Sequence, residues 1–432
     1  MDRRWHIPFL GALVTFFSSS VYRLSGLLFV NIMEEFNVNR EEASWPVSMI
    51  PTGYDMGGLV YGLLSQRLSL VQTAIVGAFL TSLGLIASVL ISKIWWMTVT
   101  LGLLHGLGSG TMSVCVQVFV SQNFAVYRGI AHGIVNTGPS ISAFVFPILM
   151  YLLTSRYTFE GSLFLLGGIL LNLIPLSTLL GEHFTTPQKN PPLIDGCDRP
   201  ITFSDKLRRQ ETQYGTQKNR SSTSESKPRV LKTAGEVLRA PVFYVLFVSW
   251  LAMYLNLDII LTTVVDFATD IGAPERKAAA LLSLFSIMDG TGRLLIPLIA
   301  DKNLVRRSTL WAFDFLVVGI LVATLSSVRS YKSLVIVMFP MAAAMGCSQS
   351  MFGVLLADYI GLDRLSVAYG LCSMIGAPIL LLKPLVIGYF RDTTGSYVDM
   401  FCILAGLQIM SSCLWFGVLL AERKNYTVAL GE

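Results

Sequence analysis

Residues 281–300 read LLSLFSIMDGTGRLLIPLIA, an apolar run that carries Asp289 and Arg293 one helical turn apart near its middle. About 20 mostly apolar residues are needed to cross a hydrocarbon core. An ionisable side chain at bilayer depth costs about 3 kcal/mol on insertion scales, so residues of this kind are rare there and are commonly functional. A bland alternative stands beside that reading: residues at this spacing share a helix face, and the two charges can simply neutralise each other as a structural pair. The choice depends on whether the stretch is a membrane span, and the rest of the chain decides that.

The 432-residue chain is 53% hydrophobic and 14% charged, far more apolar side chain than one soluble core needs. Windows of spanning length recur at 7–33, 44–66, 70–92, 95–122, 128–154 and 159–181, then at 240–268, 276–300, 307–328, 331–357, 364–390 and 398–421. A transmembrane barrel would show segments of about ten residues with apolar and polar side chains alternating. Runs such as Leu163 to Leu180 show no such alternation. The expected fold is therefore an all-α membrane protein with twelve transmembrane helices in two six-helix halves. The first apolar run is too long for a cleavable signal peptide and is expected to stay as the first span.

Residues 182–239 are rich in Lys, Arg, Ser, Thr, Pro and Gln, a composition that cannot bury enough apolar area to fold alone. They read as a largely disordered linker between an N-terminal half, 1–181, and a C-terminal half, 240–421, followed by a tail at 422–432. About 21 of the 32 Lys and Arg residues fall on the side of the linker and termini, against about 8 opposite. That excess puts both termini in the cytoplasm, with the plasma membrane as the expected location, and makes the sequons at Asn219 and Asn425 decoys.

Several classes of chemistry lack support. Cys115, Cys347, Cys372, Cys402 and Cys413 fall in spans and Cys197 in the linker, without Cys-x-x-Cys or Cys/His clustering, and they read as ordinary core residues. His105 and His132 have no metal-ligand spacing and read as hydrogen-bonded helix-packing residues. No phosphate-cradling loop or nucleophile elbow occurs, so neither an enzyme nor a metal or organic cofactor is expected. The net charge of +5 needs no nucleic-acid partner, since cytoplasmic bias accounts for it.

Two six-span halves joined by a linker are the arrangement of a transporter built from repeats, with substrate bound near the midplane between them. A weak internal echo supports this: Gly58-Leu-Val-Tyr-Gly-Leu-Leu-Ser-Gln-Arg67 ends the second span, and Gly292-Arg-Leu-Leu-Ile-Pro-Leu-Ile-Ala-Asp301, followed by Arg306-Arg307, ends the eighth. The chain resembles the major facilitator superfamily and, within it, the monocarboxylate transporter family, over nearly its whole length outside the linker. The resemblance rests on Asp289-Gly-Thr-Gly-Arg293, similar to the family's Asp-x-x-x-Arg in the eighth span, on Tyr127-Arg-Gly-Ile-Ala-His-Gly-Ile-Val-Asn-Thr-Gly-Pro-Ser140 entering the fifth, and on Gly370 through Asp392 with Thr394-Gly-Ser-Tyr397.

The first span departs from the family: its acidic-Gly-Gly-Trp-Gly-Trp opening survives only as Asp2-Arg3-Arg4-Trp5. Ungapped counting back from Trp45 sets Arg23 where proton-coupled members carry a lysine. The resemblance implies that such a lysine takes a proton and then the substrate carboxylate, with Asp289 and Arg293 receiving proton and anion in turn. Arginine effectively cannot deprotonate. A site of Arg23, Arg293 and ionised Asp289 is +1 empty and neutral with a carboxylate bound, which favours anion exchange or facilitated diffusion over strong proton coupling.

The expected function is thus secondary transport of a small monocarboxylate, proton-linked or by exchange. The resemblance adds a single-span ancillary glycoprotein as a partner. Two alternatives stay open: proton-independent facilitation of aromatic amino acids or other amphipathic solutes, and a non-transporting membrane receptor or scaffold. Arg23, Arg293, Phe352 and Lys383 are the candidate substrate-binding residues, and Asp289 and Asp55 the candidate proton-coupling residues. Snorkelling to the surface competes with anion binding for Arg23 and is the favoured reading of Lys383, while core packing is the favoured reading of Phe352. Asp55 is also a candidate counter-charge for Arg23. Asp258, Asp314 and Asp358 are less telling.

Overall fold

Among the described residues of the computed structural model, ten helices are long and apolar enough to cross a bilayer, from Leu70–Val89 to Val398–Arg423. The structure describes residues 4–38, 40–65, 67–91, 93–182, 230–380 and 382–430, and among these there is no strand. Two more segments complete twelve spans. The first is interrupted, as His6–Ser18, Ser20–Arg23 and Ser25–Phe36. The second, Arg40–Leu64, is diluted by charge, with Arg40, Glu41, Glu42 and Asp55 inside it.

Local chemistry sets the span ends. Ser69 and Gln72 close a reciprocal capping box on the third span, Thr158 and Ser330 accept from the first turns of the sixth and tenth, and Pro241 sits in the first turn of the seventh, where its missing N–H costs nothing. Gly361, at φ 89°, takes a left-handed conformation that other residues resist and stops the tenth span.

The break in the first span differs from the continuous run expected from hydropathy. Ser19 Oγ donates back to the Thr15 carbonyl (2.6 Å) and Ser25 Oγ to that of Tyr22 (2.5 Å). Such back-bonding competes with the helical ladder and bends it. The bend falls on the segment that carries Tyr22 and Arg23.

The two halves repeat one packing scheme. In the first half the first span packs on the fifth, the second on the fourth and the third on the sixth; in the second half the seventh packs on the eleventh, the eighth on the tenth and the ninth on the twelfth. Between halves, the second span meets the eleventh and the fifth meets the eighth and tenth. Glycines let these backbones close up. A Cβ on Gly133 would collide with the Arg293 carbonyl, one on Gly346 with the Asp289 carbonyl, and one on Gly292 with the Ala343 carbonyl. The eighth span is therefore gripped on two sides at the very residues that carry its charges.

The outer surface of the bundle is apolar, with Phe79, Leu83, Ile148, Leu152, Phe313, Val317 and Ile320 exposed, as helices solvated by lipid tails require. Cys115, Cys347 and Cys372 are buried as expected of core residues, but Cys402 and Cys413 are exposed; the lipid-facing side of the last span tolerates a small apolar thiol as readily as the core does. Most of the expected linker, 183–229, with Cys197 and Asn219, lies outside the described residues, as do Asp2 and Arg3. Its last part is a helix, Val230–Arg239, with Val237 buried and Glu236 paired to Arg364 at 3.1 Å before the eleventh span.

Candidate functional site

Spans of both halves enclose a cavity of about 640 Å³. Its walls include Arg23 from the first span, Ser48 and Pro51 from the second, Phe144 and Pro147 from the fifth, Asp258 from the seventh, Asp289 and Arg293 from the eighth and Lys383 from the eleventh. A smaller chamber of about 110 Å³ adjoins it. Tyr22, Arg23, Leu257 and Arg293 line both, so they form the partition between the two spaces. The chamber adds Tyr54, Asp55, Trp250, Tyr254, Phe352 and Tyr369, with the amides Gln117, Asn136 and Gln349.

Asp289 and Arg293 are 4% and 2% exposed. Arg293 Nε donates to Asp289 Oδ2 (2.8 Å) and its Nη2 to Gln349 Oε1 (2.9 Å). Ser140, in the opposite half, also donates to Asp289 Oδ2 (3.0 Å), while Asp289 Oδ1 is buried without a hydrogen-bond partner. The pair is thus both things the sequence allowed: an intrahelical ion pair and a wall of the cavity.

Arg23 does not reach the surface as a snorkelling side chain would. It lines both spaces, its guanidinium carbon lies 5.5 Å from the Tyr22 ring centroid, its Nε is buried without a partner, and among the described residues it has no ion pair. Asp55, considered as its counter-charge, makes no ion pair with it. Lys383 corrects the snorkelling reading: its Nζ donates to Asp258 Oδ2 (3.2 Å) within the cavity, because an acid one span away satisfies the ammonium more closely than distant water. Asp258 Oδ1 in turn accepts from Tyr22 OH (2.9 Å) across the two halves. Phe352 packs edge-on to Tyr369 at 5.6 Å and tilted against Trp250 and Trp311 while facing the chamber, so it is a core residue and a wall residue at once.

One face of the molecule is closed by charge. Arg128 Nη1 pairs with Asp358 Oδ1 (2.5 Å), Arg307 with Asp358 Oδ2 (3.0 Å) and Asp301 Oδ1 (3.2 Å), and Asp301 accepts from the backbone N–H groups of Gly129 and Ile130. Arg307 also donates to the Ala125 and Val126 carbonyls. These bonds tie the start of the fifth span to the ends of the eighth and tenth and the start of the ninth. Trp5 packs on Phe124 and Tyr127, and Tyr359 OH donates to Glu422, so the chain's two terminal regions lie on this same face. The large cavity is lined from the opposite ends of the spans, including Val47, Pro147, Thr262 and Leu282. It therefore opens away from the terminal face.

Residues 9–382 match the family model described as Major Facilitator Superfamily. The chain belongs to the major facilitator superfamily. Among its relatives, "Monocarboxylate transporter 12-B" of Danio rerio is 26% identical over 409 residues, covering 94% of this chain and 84% of that protein. "Monocarboxylate transporter 4" of Rattus norvegicus is 26% identical over 416 residues, 95% and 81% of the two chains. Among solved structures, the proton:xylose symporter XylE bound to 6-bromo-6-deoxy-D-glucose superposes with a TM-score of 0.67 at 13% identity, over 96% of this chain and 94% of that one. FucP in the outward conformation gives 0.65 at 16% identity, over 96% and 99%. Membership in the major facilitator superfamily makes this a multi-pass membrane transporter rather than an enzyme.

Within the superfamily fold, sequence reasoning found Arg23, Asp55, Asp289, Arg293, Phe352 and Lys383, and the structure gathers all six around the two connected spaces. It set Asp258 aside as less telling and passed over Tyr22. The signal for Asp258 was present, a lone acid deep in an apolar window, but its partners come from the first and eleventh spans and sequence spacing cannot show them. Asp301, Asp358, Arg128 and Arg307 were visible only as polar span ends. His105 bonds the Thr81 carbonyl, and His132 bonds Ser121 and Gln117. Among the described residues no group of three or more His, Cys, Asp or Glu gathers as a metal site. With Asp55, Asp258 and Lys383 added, the lining of the two spaces holds three cationic and three anionic side chains.

Proposed function

We propose that this chain carries a small monocarboxylate of the lactate or pyruvate kind by alternating access of its two halves, the carboxylate being held by Arg23 and Arg293. The observation that carries the reading is that these guanidiniums, one from each half, line both spaces and that Arg23 has no ion pair. The Nε of Arg23 is buried without a partner, and a carboxylate supplies the charge-assisted hydrogen bonds that would satisfy such a donor. The names of the relatives point to the same substrate class. The distribution of Lys and Arg favours both termini in the cytoplasm, so the cavity in this structure would face away from the cytoplasm.

The test is uptake of radiolabelled lactate and pyruvate by the purified protein in liposomes. Saturable flux is expected, falling at least about tenfold in Arg23→Ala or Arg293→Ala, the loss of one hydrogen-bonded charge contact. Undiminished flux in both variants would overturn the site. A second reading, facilitation of an aromatic amino acid or other amphipathic solute, is favoured by the rings of Tyr54, Trp250, Tyr254, Phe352 and Tyr369 around the chamber. Preferential uptake of tryptophan over lactate would establish it.

A further inference from the structure

Four uncharged polar side chains bridge the fourth and fifth spans beside the small chamber. The two helices run antiparallel, so Ser121 faces His132 and, one turn further along each helix, Gln117 faces Asn136. Ser121 Oγ lies 2.8 Å from His132 Nε2, Gln117 Nε2 donates to Asn136 Oδ1 (2.6 Å), and His132 Nδ1 bonds Gln117 Oε1 on the diagonal between these two rungs. Ser121 and His132 are fully buried, whereas Gln117 and Asn136 line the chamber. The ladder therefore runs from the protein interior to the wall that a cargo would touch.

These bonds have a direction. Gln117 Oε1 can only accept, so His132 Nδ1 carries the hydrogen, and in the neutral imidazole the other nitrogen then accepts from the Ser121 hydroxyl. Gln117 is thereby held with its amide nitrogen toward Asn136, whose oxygen is taken up. What remains at the chamber end is Asn136 Nδ2, which makes no hydrogen bond among the described residues. Gly353 of the tenth span packs its backbone against the imidazole, so closely that an added Cβ would come within 2.9 Å of His132 Cε1, and this contact holds the ring in place. The third amide of the chamber follows the same pattern: Gln349 Oε1 accepts from Arg293, and its Nε2 is buried without a partner. All three amide oxygens are thus occupied, and what these amides can offer a cargo is N–H.

Building on the carboxylate reading above, we infer that Ser121, His132 and Gln117 set the Asn136 amide with its N–H groups toward the cargo, and that this amide selects carboxylates with an acceptor oxygen beside the carboxyl group, as 2-oxo acids have, over unsubstituted acids. Arg23 and Arg293 line the same chamber, whose volume is only about 110 Å³, so a three-carbon acid held there by its carboxylate brings the neighbouring carbon within reach of the amides. An acid without that oxygen would displace water from Asn136 Nδ2 and give it no acceptor in return. A site built to donate discriminates in this way against an analogue of similar shape. Asn136 is the specificity-determining residue, and His132 and Gln117 are positioning residues that act through it.

The experiment measures how strongly unlabelled pyruvate and propionate inhibit uptake of radiolabelled lactate into proteoliposomes. Wild type is expected to need about tenfold more propionate than pyruvate for half-inhibition, the worth of one hydrogen bond. Asn136→Leu and His132→Leu should bring the two acids within about twofold of each other by weakening pyruvate and not propionate. His132→Asn, which restores a donor to Gln117, should recover most of the preference. A purely structural role would lower the rate and leave the ratio of the two inhibition constants as in wild type. That unchanged ratio in Asn136→Leu, or equal inhibition by the two acids in wild type, would overturn the inference while leaving carboxylate transport standing. A wild-type protein that moves neither lactate nor pyruvate would overturn both.

Discussion

Tyr22 is the smallest unit at which the two halves communicate inside the cavity. Its hydroxyl donates to Asp258 in the other half, and its neighbour Arg23 forms part of the partition between the two spaces. A hydrogen bond to a charged group contributes about 1.5–3 kcal/mol. Tyr22→Phe keeps the ring and its stacking on Tyr54, 5.8 Å away, and removes only that bond. It is expected to raise the KM for lactate or lower kcat by about tenfold while leaving thermal stability in detergent within a few degrees, as read by uptake kinetics and a melting curve. Residue identity was legible in the sequence wherever an ionisable group interrupted an apolar window, as Arg23, Asp55, Asp289 and Arg293 do. Partnership was not. Lys383 read as a surface-seeking lysine because Asp258 is 125 positions away, and no periodicity links the eleventh span to the seventh.

At the level of elements, the eighth span is positioned by absent side chains. Gly346 lets the tenth span approach the carbonyl of Asp289, and Gly133 lets the fifth span approach that of Arg293. Overpacking such contacts typically costs 1–3 kcal/mol, because backbone must move. Gly133→Val is therefore expected to lower the melting temperature and to reduce lactate uptake more than surface expression, since the fifth and eighth spans must also slide during alternating access. The same change at Gly168, where an added Cβ would meet nothing within 4 Å, should be silent in both assays. The sequence places Gly133 in the run entering the fifth span but names no neighbour for it or for Gly346. It did not show the break at Ser19, since hydropathy averages over hydroxyls that bond back to their own helix, and so it missed the local bend at Tyr22 and Arg23.

The whole molecule is closed on the terminal face by the ions Arg128, Arg307, Asp301 and Asp358 and open on the other. Arg307 and Asp358 are part-exposed, at 20% and 23% of side-chain surface, so solvent screening limits each link to about 1 kcal/mol, roughly a fivefold change in population. Asp358→Asn removes two links at once. It is expected to lower the labelling rate of a cysteine introduced at Ser286, in the open cavity, by a membrane-impermeant maleimide several-fold. An unchanged rate would mean the network does not bias the equilibrium. The twelve-span frame behind this arrangement was legible almost entirely from hydropathy; which face was shut was not, because a closed state depends on pairings among span ends that in sequence look like ordinary polar turns. The unequal volumes of the two spaces, about 640 and 110 Å³, have a pharmacological consequence. A bulky aryl carboxylate can anchor on the arginines from the wide vestibule yet be too large to pass the partition, so it would act as a plug from one side only, competitive with the cargo when applied there and inert when confined to the other.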